Sequence, residues 1–141
     1  RSMAEGTNVS VFKTKHGKEG IAVNGYQFRL DNKRLADGSL LWRCLKEGCP
    51  GRMQTDATYN NPRSRGRDHD HMPDPEGCLV RSVVSRMRER AANENTPVPT
   101  IYHEESTTLA ASAAASAILP TRLSVSSSLY RARRKRLETI F

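Results

Sequence analysis

Residues 42–71 of the chain read WRCLKEGCPGRMQTDATYNNPRSRGRDHDH. Cys44 and Cys49 have four residues between them, and His69 and His71 are separated by Asp70 alone. Two thiolates and two imidazoles form a tetrahedral ligand set for Zn²⁺, and four protein ligands are typical of a structural site. Alternate residues of a β-strand point to the same face, so the His-x-His spacing favours ligands on an extended segment.

The aromatic residues and metal-ligand residues follow a recognisable order. They stand in the segments Phe12, Gly25–Phe28, Leu41–Cys44, Cys49–Arg52 and His69–His71. This order resembles the signature of FLYWCH-type zinc fingers, a family related to the plant WRKY domains and associated with Mutator-like transposases. The resemblance covers residues 9–73. It implies a small antiparallel sheet that is closed by Zn²⁺ and binds DNA, in a transposase-derived regulator or a fragment of one.

The charge of the chain indicates an anionic partner. The 141 residues carry a net charge of +8, of which residues 1–76 contribute +3 and residues 77–141 contribute +5. A basic chain with a zinc motif favours nucleic acid as that partner. Three cysteines without a recognisable secretory signal indicate metal binding in a reducing compartment, with Cys78 a free thiol. The longest apolar run, at 109–119, is too short to span a bilayer, so no membrane partner is expected.

Alternating apolar and polar residues predict a sheet in the first half of the chain. Strands are expected at 9–12, 21–30, 40–44, 52–55 and 69–71, with a bulge or tight turn at Asn24-Gly25. Residues 31–39 and part of 60–67 are expected to be loops. The large apolar side chains available to this sheet are few: Phe12, Tyr26, Phe28, Leu41, Trp42 and Met53. A core of this size usually needs a metal to be stable.

The residues after a stiff linker at Pro73–Pro75 follow a helical period. A first helix is expected from Leu79, a second from Thr100 to Ala117, and a third from Ser126 or Ser127. The first and third helices are expected to have apolar faces at Val80, Val83, Val84, Met87 and Ala91, and at Leu129, Tyr130, Arg133 and Leu137, respectively. The basic run at 131–136 fits a nuclear-localisation or nucleic-acid patch as well as a solvated surface.

The predicted fold class is therefore α+β, with a small antiparallel zinc-stapled sheet followed by a helical extension. The zinc finger is expected at 9–73 and the basic, mostly helical extension at 77–141, and residues 1–8 are expected to be disordered. The spacing of the acidic residues does not indicate a catalytic site, so no enzymatic activity and no small-molecule substrate are expected. Asp68 and Asp70 are expected to accept a hydrogen bond from a ligand histidine or to lie at the surface.

The resemblance to WRKY domains implies that the strand around residues 25–29 approaches the major groove of DNA. Gln27 and Arg29 would then lie near base edges, where Gln pairs with adenine and Arg with guanine. Candidates for phosphate contacts are Lys33, Arg34, Arg43 and Arg52, although any of these can also be an ordinary solvent-facing charge. The expected function is zinc-dependent DNA binding in the nucleus. The alternative is a protein-interaction module in which the zinc site only supports the fold.

Overall fold

The computed structural model describes residues 9–14 and 17–140, without the side chains of residues 32–34, 139 and 140. The chain divides into two compact units between Cys78 and Leu79, whereas the sequence places this division at 73–77. The disorder predicted for residues 1–8 lies outside the described residues. In the described part of the chain, no helix is both long enough and apolar enough to cross a membrane.

Six strands form one antiparallel sheet within the described residues. They are β1 (Ser10–Lys13), β2 (Glu19–Val23), β3 (Tyr26–Arg34), β4 (Leu40–Cys44), β5 (Arg52–Thr55) and β6 (Arg63–Ser64). Their order in the sheet is their order in the chain, so each strand pairs with the next one. With the helices that follow, this sheet confirms the predicted α+β class.

A tight turn at Asn24 and Gly25 joins β2 to β3. Both residues have a positive φ, of 53° and 84° respectively, which is the backbone conformation of a type I′ turn and suits Asn and Gly. The segment at 73–74 packs against this turn. The N–H of Asp74 donates to the carbonyl of Gly25 at 2.7 Å, and a Cβ on Gly25 would lie only 2.8 Å from Cβ of Pro73. The Gly25 side of the turn is therefore covered by the chain itself, whereas Asn24 is exposed.

β3 extends four residues beyond the strand end predicted at Leu30. It reaches Arg34, so the loop prediction is wrong for residues 31–34. The pairing of Arg34 with Leu40 continues the β3–β4 hairpin after a register shift that follows Leu30. Because pairing with a neighbouring strand satisfies main-chain groups, a charged segment can be part of a sheet.

The sheet has one buried face and one outer face. The core of the buried face contains Ile21, Phe28, Trp42 and Met53, and the indole N–H of Trp42 donates to Oγ1 of Thr55 at 2.8 Å. Side chains alternate between the faces of a strand, so the residues between these positions form the outer face. We define this outer face by Gln27, Arg29, Leu41, Arg43, Arg52 and Gln54.

Four helices follow in the described part of the chain. They are α1 (Pro75–Asn93), α2 (Val98–Thr107), α3 (Ala113–Ile118) and α4 (Arg122–Ile140). Their buried side chains form a core that is separate from the sheet core and includes Val83, Met87, Ile101, Ala115 and Leu129. Arg133 of α4 donates to the carbonyls of Ala91 and Thr96 at 2.9 and 2.6 Å. This side chain therefore satisfies one main-chain acceptor in the last turn of α1 and one in the connection to α2.

The helix boundaries differ from the predicted ones because short polar side chains cap the helices. The predicted linker is the start of α1, where Oδ1 of Asp74 accepts from the N–H of Gly77 at 3.0 Å. The single helix predicted for 100–117 is wrong, because Oγ of Ser112 accepts from the N–H of Ala115 at 3.1 Å and starts α3. α4 begins at Arg122 rather than at Ser126 or Ser127.

The apolar residues predicted to share one face of the third helix lie on two different sides of α4. Leu129 is fully buried, whereas Tyr130 and Leu137 of α4 are exposed. The predicted face combined positions that point in different directions. Each residue of a helix is rotated by about 100° about the helix axis from the one before it, so Leu129 and Tyr130 cannot share one face.

Candidate metal centre

Three separate pieces of the chain bring the predicted ligands together. Cys44 ends β4, Cys49 lies in the turn between β4 and β5, and the two histidines follow β6. The turn is closed by the N–H of Cys49, which donates to the carbonyl of Lys46 at 3.1 Å. The pairing of β4 with β5 therefore holds both thiols at the same end of the sheet.

The four side chains form one cluster of donor atoms. One ligand atom from each of Cys44, Cys49, His69 and His71 lies within 4.8 Å of the other three. Sγ of Cys44 is 3.2 Å from Nε2 of His71, and Sγ of Cys49 is 3.4 Å from Nδ1 of His69. A sulfur and a nitrogen on one tetrahedral Zn²⁺ are about 3.6 Å apart. The donor set therefore fits Zn²⁺, and its four protein ligands indicate a structural site.

The histidine segment is not a strand, so the strand predicted at 69–71 is wrong. Within the described residues, the last strand is Arg63–Ser64, and residues 70 and 71 form a bend. The two rings present different nitrogens to the cluster, and their planes are inclined by 79°. Contacts with distant residues, rather than strand pairing, place these side chains.

Tyr26 and Gly51 hold the ring of His69 from two sides. The ring of Tyr26 stacks on that of His69, with centroids 3.6 Å apart and planes inclined by 3°. On the other side of the ring lies Gly51. A Cβ atom at this position would lie only 2.5 Å from Nδ1 of His69, so the glycine leaves the space that the ring occupies. The hydroxyl of Tyr26 also donates to the carbonyl of His71 at 3.1 Å. Sequence reasoning missed both positioning residues, although each belongs to a segment of the predicted signature.

A main-chain carbonyl, rather than a carboxylate, sets the tautomer of His71. Nδ1 of His71 is 3.1 Å from the carbonyl oxygen of Met72, so a proton on Nδ1 donates to this oxygen and leaves Nε2 free to bind a metal. Asp68 and Asp70 are exposed. Of the two roles predicted for these residues, the structure therefore shows the surface position, and at His71 a main-chain carbonyl takes the place of a carboxylate.

Burial disfavours the charged forms of the side chains in the cluster. Burial raises the pKa of Cys44 to about 11, and the neighbouring Cys49 adds to this rise. Burial also lowers the pKa of His69, with a smaller contribution from His71, so this imidazole is in the neutral form that binds metals. A Zn²⁺ ion at this position would supply the positive charge that keeps the thiols deprotonated.

The sheet, its cluster and the order of the aromatic residues agree with one known family. Residues 11–71 match the FLYWCH zinc finger domain. The predicted resemblance is therefore confirmed for this segment, which we call the FLYWCH segment. Neither a curated protein nor a solved structure matches the chain significantly. With the Cys₂His₂ cluster, the match indicates a metal-binding module for nucleic acid or protein, and the donor set fits zinc.

The FLYWCH segment places most of the candidate DNA-contact residues on the outer face. Gln27 and Arg29 of β3 share this face, Arg29 pairs in register with Arg43, and Arg43 pairs with Arg52. Arg29 and Arg43 are exposed, and Arg52 is partly buried. The side chains of Lys33 and Arg34 lie outside the described residues.

Arg29, Arg43 and Arg52 form a row across three neighbouring strands. The arginines of this row have different contacts. A guanidinium nitrogen of Arg43 is 3.5 Å from a carboxylate oxygen of Asp31. Nη1 of Arg52 donates to the carbonyls of Cys49 and Gly51 at 3.2 and 2.8 Å, so this side chain is linked to the turn that carries a metal ligand. Arg65, which sequence reasoning did not single out, donates to Oε1 of Gln54 on the same face at 2.9 Å. A cavity of about 690 Å³ borders the row, lined by Arg29, Arg43, Arg52 and residues 44–50.

Proposed function

We propose that the FLYWCH segment is a zinc-dependent DNA-binding module that acts in the nucleus and has no catalytic role. The observation that carries this proposal is the row of Arg29, Arg43 and Arg52 on the outer face. These residues stand directly opposite one another on three neighbouring strands. Neighbouring strands are about 4.8 Å apart, so the backbone positions of the first and third arginines are separated by about 10 Å. The row therefore holds three positive charges close together.

Such a row is unfavourable for the isolated sheet. Like charges directly opposite each other on neighbouring strands destabilise the pairing, and the ion pair between Arg43 and Asp31 offsets part of this repulsion. A polyanion that lies on the outer face relieves this repulsion and gains contacts to several guanidinium groups. Phosphate oxygens of DNA provide this chemistry, and Gln27 supplies an amide on the same face for a base edge.

A salt titration of DNA binding tests the proposal. The zinc-loaded chain is measured by gel shift on a site selected from a random DNA pool and on a scrambled site, at 50 and 200 mM salt. Affinity is expected to fall steeply with salt, by a slope of about 0.9 per phosphate contact. Arg43→Ala is expected to weaken binding to both DNAs and to lower the slope by about one. Lys13→Ala is the charge-matched control, because the strand register places Lys13 on the other side of the sheet from Arg29. Failure of the unsubstituted chain to bind any selected DNA contradicts the proposal.

A second comparison separates positioning of the DNA from base recognition. Arg29→Ala is expected to cost about 1–3 kcal/mol on the selected site and to relax the preference at one base position. An equal loss on the selected and scrambled DNAs assigns Arg29 to phosphate contacts instead. Arg29 and Arg43 are not ligands, so the zinc content of both variants is expected to match that of the unsubstituted chain.

A protein-interaction module remains the alternative function. It shares the zinc-closed sheet but requires no polyanion on the outer face. In this case, Arg29→Ala and Arg43→Ala leave DNA affinity at the weak level of any basic protein, with no preferred sequence. The random-pool selection therefore distinguishes the two functions before any substitution is made.

A further inference from the structure

The exposed apolar side chains of α4 form a stripe with internal symmetry. Among the described residues, seven large apolar side chains are exposed, and three of these lie on α4: Leu123, Tyr130 and Leu137, at 81, 46 and 48% exposure. They are seven residues apart, and this spacing returns a helix to nearly the same side after two turns. The stripe is therefore about 21 Å long, with Tyr130 at its midpoint.

This stripe lies apart from the core side of α4. Val125 and Leu129 point into the core of the helical unit. Tyr130 is about 100° from Leu129 around the helix axis, and Leu123 and Leu137 lie within about 20° of Tyr130. α4 therefore keeps one face for its own unit and presents a second apolar seam to solvent.

The charges along α4 are distributed unequally about Tyr130. The C-terminal half contains Arg131, Arg133, Arg134, Lys135 and Arg136, whereas the N-terminal half contains Ser124, Ser126, Ser127 and Ser128. Two such helices side by side in parallel would bring both basic halves together, which is unfavourable. Two antiparallel helices bring each basic half against the serine half of the other helix.

We propose that α4 pairs with α4 of a second copy of this chain, antiparallel and with Tyr130 on the twofold axis. The spacing of the stripe is the same in both directions from Tyr130, so Leu123 of one copy meets Leu137 of the other, and the reverse. This is the self-complementary contact that a twofold interface requires. The antiparallel arrangement also brings Arg122 of one copy to the level of Glu138 of the other, where opposite charges attract.

Chain association is measured first. The zinc-loaded full chain, with Cys78→Ser to remove a reactive thiol outside the metal centre, is examined by sedimentation between about 1 and 100 µM. A reversible dimer is expected. Tyr130→Glu is expected to raise the dissociation constant at least about tenfold, because it places two like charges on the axis. Arg136→Glu changes a side chain on another side of the same helix and is the matched control.

The direction of pairing is tested by disulfide trapping with single cysteine variants. Tyr130→Cys is expected to form a disulfide with itself, since each copy places this residue on the axis. Leu123→Cys and Leu137→Cys are expected to form a mixed disulfide when combined and little disulfide when oxidised alone. Arg136→Cys is the control that forms none. A monomer at 100 µM overturns the proposal, as do disulfides of Leu123→Cys and Leu137→Cys each with itself, because these show parallel helices.

Discussion

At the scale of single residues, Tyr26 links the sheet to both histidines of the metal centre. It stands 45 residues before His71, yet its hydroxyl reaches the carbonyl of that residue and its ring covers His69. The histidine segment is not paired into the sheet, so these contacts replace the main-chain hydrogen bonds of a strand. Tyr26 therefore positions two metal ligands without binding the metal itself.

Substitution of Tyr26 is expected to lower the affinity for Zn²⁺. Tyr26→Leu removes the stacked ring and the hydrogen bond, and the loss of such supporting contacts typically costs about 10–100-fold in metal affinity. Tyr26→Phe keeps the ring and is expected to lose no more than about tenfold. Competition with a chromogenic chelator measures both affinities, and the absorption bands of bound Co²⁺ report the ligand geometry. Equal losses in the two variants contradict a role for the stacked ring.

At the scale of elements, the turn between β4 and β5 combines metal binding with close packing. Gly51 leaves room for the ring of His69, its N–H lies 3.4 Å from Sγ of Cys49, and Arg52 binds the carbonyls of Cys49 and Gly51. Arg52 thus has a structural role that the predicted phosphate contact did not include. The turn and the first residue of β5 act as one support for Cys49.

Arg52→Ala is accordingly expected to weaken both Zn²⁺ and DNA binding. The loss of hydrogen bonds from a charged donor to two carbonyls is expected to reduce zinc affinity by about tenfold or more. Arg43→Ala removes the directly opposite arginine and is expected to leave zinc affinity unchanged. The two variants are compared by chelator competition and by gel shift at two salt concentrations. Unchanged zinc affinity in Arg52→Ala would leave only the phosphate contact for this residue.

The same elements show how far local sequence patterns determine this fold. β4 and β5 were predicted correctly because alternation of apolar and polar residues is a local signal. The bend at 70–71 could not be predicted in this way, because the contacts of His69 and His71 are with Tyr26 and Gly51, which are distant in the chain. The break before α3 depends on Ser112, and a serine in an alanine-rich segment fits a helix interior as well as a cap. The grouping of Cys44, Cys49, His69 and His71 could be predicted because two thiols and two imidazoles form a ligand set for Zn²⁺, and the structure brings these four side chains together.

At the scale of the whole molecule, the two units have separate cores. The sheet core includes Cys44 and Cys49 themselves. The core of the helical unit consists of side chains from α1 to α4 and from the α2–α3 connection, and it contains none of the four ligands. Structural Zn²⁺ contributes about 10–16 kcal/mol of apparent binding energy in finger peptides, and this energy counts toward folding. We therefore expect metal removal to affect one unit only.

Chelation of the zinc-loaded chain tests this expectation. Trp42 is the single tryptophan of the chain and is fully buried in the sheet core, so its fluorescence reports on the sheet alone. Excess chelator is expected to shift the Trp42 emission to longer wavelengths, while the helical circular dichroism at 222 nm is largely retained. Added Zn²⁺ is expected to restore the emission. Native emission after verified removal of the metal contradicts structural zinc, and joint loss of both signals contradicts the independence of the helical core.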